Sequence, residues 1–210
     1  MNSRVRVALP ERERRTHAER TAETRSRVIG AVIESIAEVG YQRTTAAEIA
    51  RRAGVTWGAV QHHFGDKDGI LTAVLEDAFE RFSELLDDVP AADVTLEQRV
   101  ALFVDRSWQH FGSPHYRSTF EILLNLSPNL ELSWRDEMRE AWRRIWSRYF
   151  PSSRPSRRET VDLLHYAHSV LFGLAARQVL EGQRSAIRSR ELDFLKDTLQ
   201  RELARGEEMR

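Results

Sequence analysis

Apolar residues recur every three to four positions along almost the whole chain, and no stretch alternates apolar with polar residues for long enough to build a strand face. A chain with that periodicity has to bury helical stripes, so its 210 residues are expected to form an all-α protein. Start and stop signals divide the pattern into nine helices. Ile29, Val32, Ile33 and Ile36 share one face of a helix over about 22–39, and Gly40 is placed to close it. Two short helices follow, about Ala46–Ala53 and Trp57–Phe64. Asp66 caps a fourth, which keeps its period from Ile70 to Phe82 and ends near Pro90. Thr95 with Gln98 is a capping box that opens the fifth, closing at Gly112. Ser113 and Pro114 start the sixth, which stops before Pro128. The seventh carries Trp134, Met138, Trp142, Ile145, Trp146 and Tyr149 and ends at Pro151. Ser156 with Glu159 opens a long eighth that closes at Gly182, and Leu192, Leu195 and Leu199 mark the ninth.

Composition removes several kinds of chemistry. Without cysteine there are no disulfides, thiolate nucleophiles or Cys-based zinc sites. Residues 1–20 contain arginines but no apolar core of a secretory signal, and no apolar run approaches the roughly 20 residues that span a bilayer. A cytoplasmic protein without membrane contact is expected. Net charge is zero but unevenly placed. Residues 1–67 hold 12 Lys and Arg against 8 Asp and Glu, a net +4, and the rest of the chain carries the opposite excess. A basic front half points toward a polyanion, although a solvated tail has the same signature.

Residues Thr45 to Phe64 have the layout of a helix-turn-helix. Thr45 and Thr56 stand at the two N-caps. Gly54 permits the sharp reversal, Val55 fills the angle, and Ala50 and Ala53 let the helices cross closely. Any closely crossed helix pair shares some of these needs, so spacing alone leaves a packing role open. His62 and His63 are neighbours on one helix, so their side chains diverge by about 100° and are poorly placed to share a metal. No phosphate-cradling glycine loop or G-x-S-x-G nucleophile motif occurs. No catalytic residue, metal site or cofactor is therefore assigned, and an enzyme is not expected.

The stretch from Gly40 to Leu71, GYQRTTAAEIARRAGVTWGAVQHHFGDKDGIL, resembles the signature of the TetR (tetracycline-repressor) family of bacterial transcription regulators. The matching features are Gly40-Tyr41, Thr44-Thr45, Ile49-Ala50, Ala53-Gly54-Val55, Gly58, His63-Phe64 and Lys67. The resemblance covers roughly residues 25–75. It implies a nine-helix homodimer, with a three-helix DNA-binding domain at 21–67 and a ligand-binding and dimerisation domain at 68–210, while the polar, Arg-rich composition of 1–20 suggests a basic flexible arm. It places the third helix in the major groove of an operator, with Thr45, Thr56, Trp57, Gly58, Gln61, His62, His63 and Lys67 facing the DNA. Thr45, Thr56, His63 and Lys67 are expected at phosphates, where contacts set register without reading sequence. The family often has tyrosine at the position of Gln61 and a small or charged residue at that of Trp57. Gln61 can pair with adenine through two hydrogen bonds, so an unusual operator preference is expected. Gly69 also departs from the pattern and is expected to cost ~1 kcal/mol relative to alanine.

The second half is rich in rings. Aromatics at helical spacing usually form core, but as a group they suit a cavity between helices. The expected ligand wall is Trp108, Phe111, Phe120, Trp134, Trp142, Trp146 and Phe172, with His165 or His168 supplying a hydrogen bond to a small apolar or aromatic effector. Asp105 and Glu121 leave room for a cationic one. The resemblance implies that residues 157–181 and 189–203 pair with a second copy as a four-helix bundle, with Leu171 and Leu195 inside that interface, although a monomer could also bury those stripes internally. The function expected is a repressor released from a palindromic operator by the effector. The alternatives are a ligand-independent regulator, an activator, or a helical enzyme built around His165 and His168.

Overall fold

The computed structural model describes residues 16–88, 93–126, 134–151, 157–181 and 188–208. Its helices are α1 (His17–Val39), α2 (Ala46–Ala53), α3 (Trp57–Phe64), α4 (Lys67–Leu85), α5 (Leu96–Phe111), α6 (Pro114–Asn125), α7 (Trp134–Tyr149), α8 (Arg157–Glu181) and α9 (Arg188–Glu208), with a short 3-10 turn at Tyr41–Arg43. No strand occurs among the described residues. The fold is all-α, as the periodicity requires.

The caps explain most boundaries. The side chains of Thr45, Thr56, Asp66, Thr95 and Ser113 each accept a hydrogen bond from the backbone N–H three residues on. One boundary moves. Residues 16–20 are not an arm, because Thr16 and Glu19 form a capping box that starts α1 at His17. α4 ends at Leu85, short of the expected Pro90. Pro90, Pro128, Ser156 and Gly182 lie outside the described residues.

Two apolar cores form, and two helices belong to both. The first joins α1, α2, α3 and the front of α4 through Val28, Val32, Ile36, Ile49, Val60 and Ile70. The second joins α5, α7, α8 and α9 through Phe103, Trp146, Tyr149, Leu171, Leu195 and Leu199. α4 enters the first core with Leu75 and the second with Phe82, while α6 gives Ile122 to the first and Phe120 to the second. Each fully buried aliphatic side chain contributes about 1.5–3 kcal/mol of transfer free energy.

Two expectations need correction. Gly69 is not a costly stand-in for alanine, since a Cβ there would run into the carbonyl of Phe64. The turn between α3 and α4 is too tight for a side chain. Leu171 and Leu195 are fully buried within the single chain, so they are core residues rather than an interface. The outward side of α8 and α9 instead exposes Phe194 (67%) and Leu180 (83%), with Tyr166 partly covered.

Candidate nucleic-acid interface and ligand cavity

The reversal between α2 and α3 rests on Gly54, whose φ of 62° and ψ of 38° lie in the left-handed region. Its N–H donates to the Arg51 carbonyl at 3.2 Å, and the N–H of Val55 donates to Ala50 at 3.1 Å. Arg27 of α1 donates to the carbonyls of Ala53 and Gly54, completing the end of α2. Arg25, also on α1, donates to the His63 carbonyl and stands over the Phe64 ring. Neither arginine was singled out from the sequence, because a basic residue at the edge of an apolar stripe looks like any solvated one.

α3 buries Val60 and turns Gly58, Gln61 and His62 to solvent. Trp57 is half-buried against the first core, so only part of its ring faces outward. His63 is half-buried, with its ring edge-on to Phe64. Thr45 and Thr56 are exposed but engaged as caps, to Glu48 at 3.3 Å and Ala59 at 3.2 Å. Lys67 is exposed, and its Nζ lies 4.6 Å from the centre of the Tyr41 ring. A Cβ on Gly58 would meet nothing nearer than 3.9 Å, so no packing within the chain demands glycine there. Arg51 and Arg52 are less available than their charge suggests. Both bond the Glu48 carboxyl, holding it down at about 2, and Arg52 also bonds Glu38.

A cavity of about 500 Å³ opens between α4, α5, α6, α7 and α8. Phe111, Trp142, His168 and Phe172 of the expected wall line it. His165 lines a smaller neighbour of about 300 Å³, which shares Met138, Arg139, Trp142 and His168 with the first. Other expected residues sit elsewhere. Trp146 is sealed in the second core, 5.5 Å from Phe103 and 4.7 Å from Phe150. Phe120 packs on Phe172 at 5.0 Å, behind the wall, and Trp108 covers Gly112. The side chain of Trp134 lies outside the described residues.

The sequence also missed part of the wall: Phe79 and Phe82 of α4, His110 of α5 and Tyr116 of α6. The α4 rings share a helical stripe with true core residues, and spacing does not separate the two. Phe82 stacks obliquely on Trp142 at 4.5 Å, and His110 meets Tyr116 at 5.0 Å. Burial, helped by the nearby His115, pushes His110 down to about 4, so it is neutral at pH 7. Burial also lowers His168, with His165 adding to the effect, and raises the Tyr116 hydroxyl, which therefore keeps its proton.

α6 connects the two sites. One side gives Tyr116, Thr119 and Leu123 to the cavity. The other is bonded to the N-terminal unit: Ser118 Oγ donates to the Ile33 carbonyl at 3.0 Å, Glu121 accepts from the Tyr41 N–H at 3.0 Å, and Gln42 donates to Asn125 at 2.9 Å.

A three-helix unit that presents a helix-turn-helix, carried on a helical body with an internal cavity, defines a class of helix-turn-helix protein. Residues 28–74 match the model of the bacterial regulatory proteins of the tetR family. A relative, the HTH-type transcriptional regulator BetI of Escherichia coli, is 39% identical over 85 residues, which is 39% of this chain and 43% of that protein. The match thus spans under half of that relative's length. Solved structures share the fold over much more of the chain. One tetR-family regulator from Shewanella aligns with a TM-score of 0.63 at 18% identity, covering 84% of this chain and 95% of its own. FadR of Bacillus subtilis, solved with stearoyl-CoA, aligns with a TM-score of 0.62 at 20% identity, covering 86% and 98%.

Proposed function

We propose that this chain is a homodimeric transcriptional regulator, a repressor that a small apolar or aromatic molecule releases from a near-palindromic operator. The observation that carries the reading is α6, which lines a cavity on one side and is hydrogen-bonded to the helix-turn-helix unit on the other. A ligand that favours one setting of α6 biases the unit bearing α3, and it does so only by binding the two settings with different affinity. In this reading residues 21–67 read DNA and 68–210 sense and dimerise. Gln61, His62 and the outer part of Trp57 meet base edges, while Thr45, Thr56, His63 and Lys67 meet phosphates around a close backbone approach at Gly58. The exposed Phe194, Leu180 and Tyr166 support pairing of α8 and α9 with a second copy.

The enzyme reading finds no support in the geometry. Neither His165 nor His168 has a side-chain hydrogen bond to a carboxylate or hydroxyl among the described residues, and His168 is flanked by the rings of Phe111, Trp142 and Phe172. No described helix is long and apolar enough to cross a membrane. Selection of bound duplexes from a random pool tests the proposal. A two-fold sequence is expected, with affinity that falls steeply with salt. Sequence-indifferent recovery would contradict it.

A further inference from the structure

The cavity's polar lining restricts the charge of what it holds. Among the described residues no carboxylate lines either the larger or the smaller cavity. The two acids expected to welcome a cation are engaged elsewhere. Asp105 pairs with Lys196 at 2.7 Å, and Glu121 accepts from the Tyr41 backbone. The polar groups on the wall are of the other kind. Among the described residues Tyr116, His168 and His110 find no side-chain hydrogen-bond partner, although Tyr116 is only 5% exposed. Arg139 lines both cavities, and Arg143 lines the smaller one. They pair with Asp136 and Glu140 of their own helix in exposed i,i+3 contacts, which contribute little, and neither carboxylate lines a cavity.

We infer that the effector is an apolar molecule bearing an oxygen acceptor, a carbonyl or a carboxylate, and not an organic cation. Its body lies against Phe82, Trp142 and Phe172. Its oxygen accepts from the Tyr116 hydroxyl, with an imidazole N–H of His110 or His168 as a second donor. Arg139 and Arg143 raise the local positive potential, which favours an anion and repels an ammonium group. The retained proton of Tyr116 and the neutral state of His110 fit this arrangement, because the phenol remains a donor and the imidazole offers one N–H. Cation–π attraction from the rings is the opposing force. It strengthens as the cation loses its water, but with no carboxylate on this wall it has to offset the cation's desolvation alone.

The inference rests on the sensor reading above, but its test does not involve DNA. Isothermal calorimetry on the full chain compares three probes with one ring system: 2-naphthoate, 2-acetylnaphthalene and 2-naphthyltrimethylammonium. The two oxygen-bearing probes are expected to bind, and the cation about tenfold more weakly or not at all. Tyr116→Phe, which keeps the ring, is expected to weaken both oxygen-bearing probes about fivefold. Tightest binding by the cation, or a Tyr116→Phe variant that binds all probes as the parent does, overturns the inference and leaves the sensor reading standing. Silence with all three probes overturns both.

Discussion

The two halves of this molecule solve different problems with the same element. The N-terminal unit closes its core with small and aliphatic side chains, Val28, Val32, Ile36, Ile49 and Val60, each at most 1% exposed. Its proposed DNA-reading side faces outward on a short helix whose position is set by caps, a left-handed glycine and two arginines from α1. The C-terminal body uses large rings that do not close up completely and leave about 500 Å³ between five helices. Its functional side faces inward. The similarity to known proteins follows the same division. A relative matches with 39% identity over 85 residues, whereas over most of the chain the Shewanella and Bacillus structures share the fold at 18–20% identity. On the proposed reading, a unit that fits one shape of DNA tolerates little change, while a cavity wall can be rebuilt for each ligand as long as the helices still pack.

The largest effect should separate the inside of α9 from its outside. Leu195→Asp places an unpaired charge in the second core and should cost about 3–5 kcal/mol, giving unfolded or insoluble protein. Phe194→Asp, one residue away on the exposed side, should leave a folded chain that sediments as a monomer. A soluble, dimeric Phe194→Asp protein would move the interface away from α8 and α9.

A second contrast is in pH. Burial holds the His110 imidazole down at about 4, against about 6.5 in the unfolded chain, so the folded state resists protonation. Stability is therefore expected to be intact above pH 6.5 and to fall as pH drops from there toward 4, by up to about 3 kcal/mol. Denaturant melts across this range should show the slope, and His110→Phe should reduce it. An unchanged slope would mean that His110 is not the group responsible.

Smaller effects test the outward face. Gln61→Ala should relax preference at one base position per half-site, at a cost of about 1–3 kcal/mol, with no change in thermal stability. Lys67→Ala should weaken all duplexes alike and reduce the salt slope by about 1. Equal loss at every site for Gln61→Ala would sink its reading role. The smallest effect in this group is at the turn. Gly54→Ala should cost about 1–2 kcal/mol of stability by forcing a Cβ into the left-handed region, measured by thermal melts, while calorimetric ligand binding is retained.

The sequence made the first half far more legible than the second. Caps at Thr45, Thr56 and Asp66 and the reversal at Gly54 are local rules, and local rules can be read from spacing. The box at Thr16 and Glu19 obeys the rule that found Thr95 and Gln98, so the start of α1 was readable but was hidden by its charged surroundings. Gly69 was not readable, because its reason is a carbonyl five residues earlier in a turn whose shape no propensity gives. In the second half, periodicity says that a ring faces inward but not whether it meets another ring or a void. Trp142 and Trp146 are one helical turn apart. One lines the cavity, and the other is sealed against Phe103 by the approach of α5.

The central claim is that the inward site and the outward site are coupled through α6. The most direct measurement is the affinity of the tightest-binding calorimetric probe for the free protein and for the protein saturated with its selected operator. Thermodynamic reciprocity requires the operator to weaken probe binding by the factor with which the probe weakens operator binding. Equal factors of about tenfold or more are expected, shrinking toward one in Ser118→Ala/Glu121→Ala, which loses two of the α6 contacts to the N-terminal unit. A probe that binds free and operator-bound protein with the same affinity would contradict it.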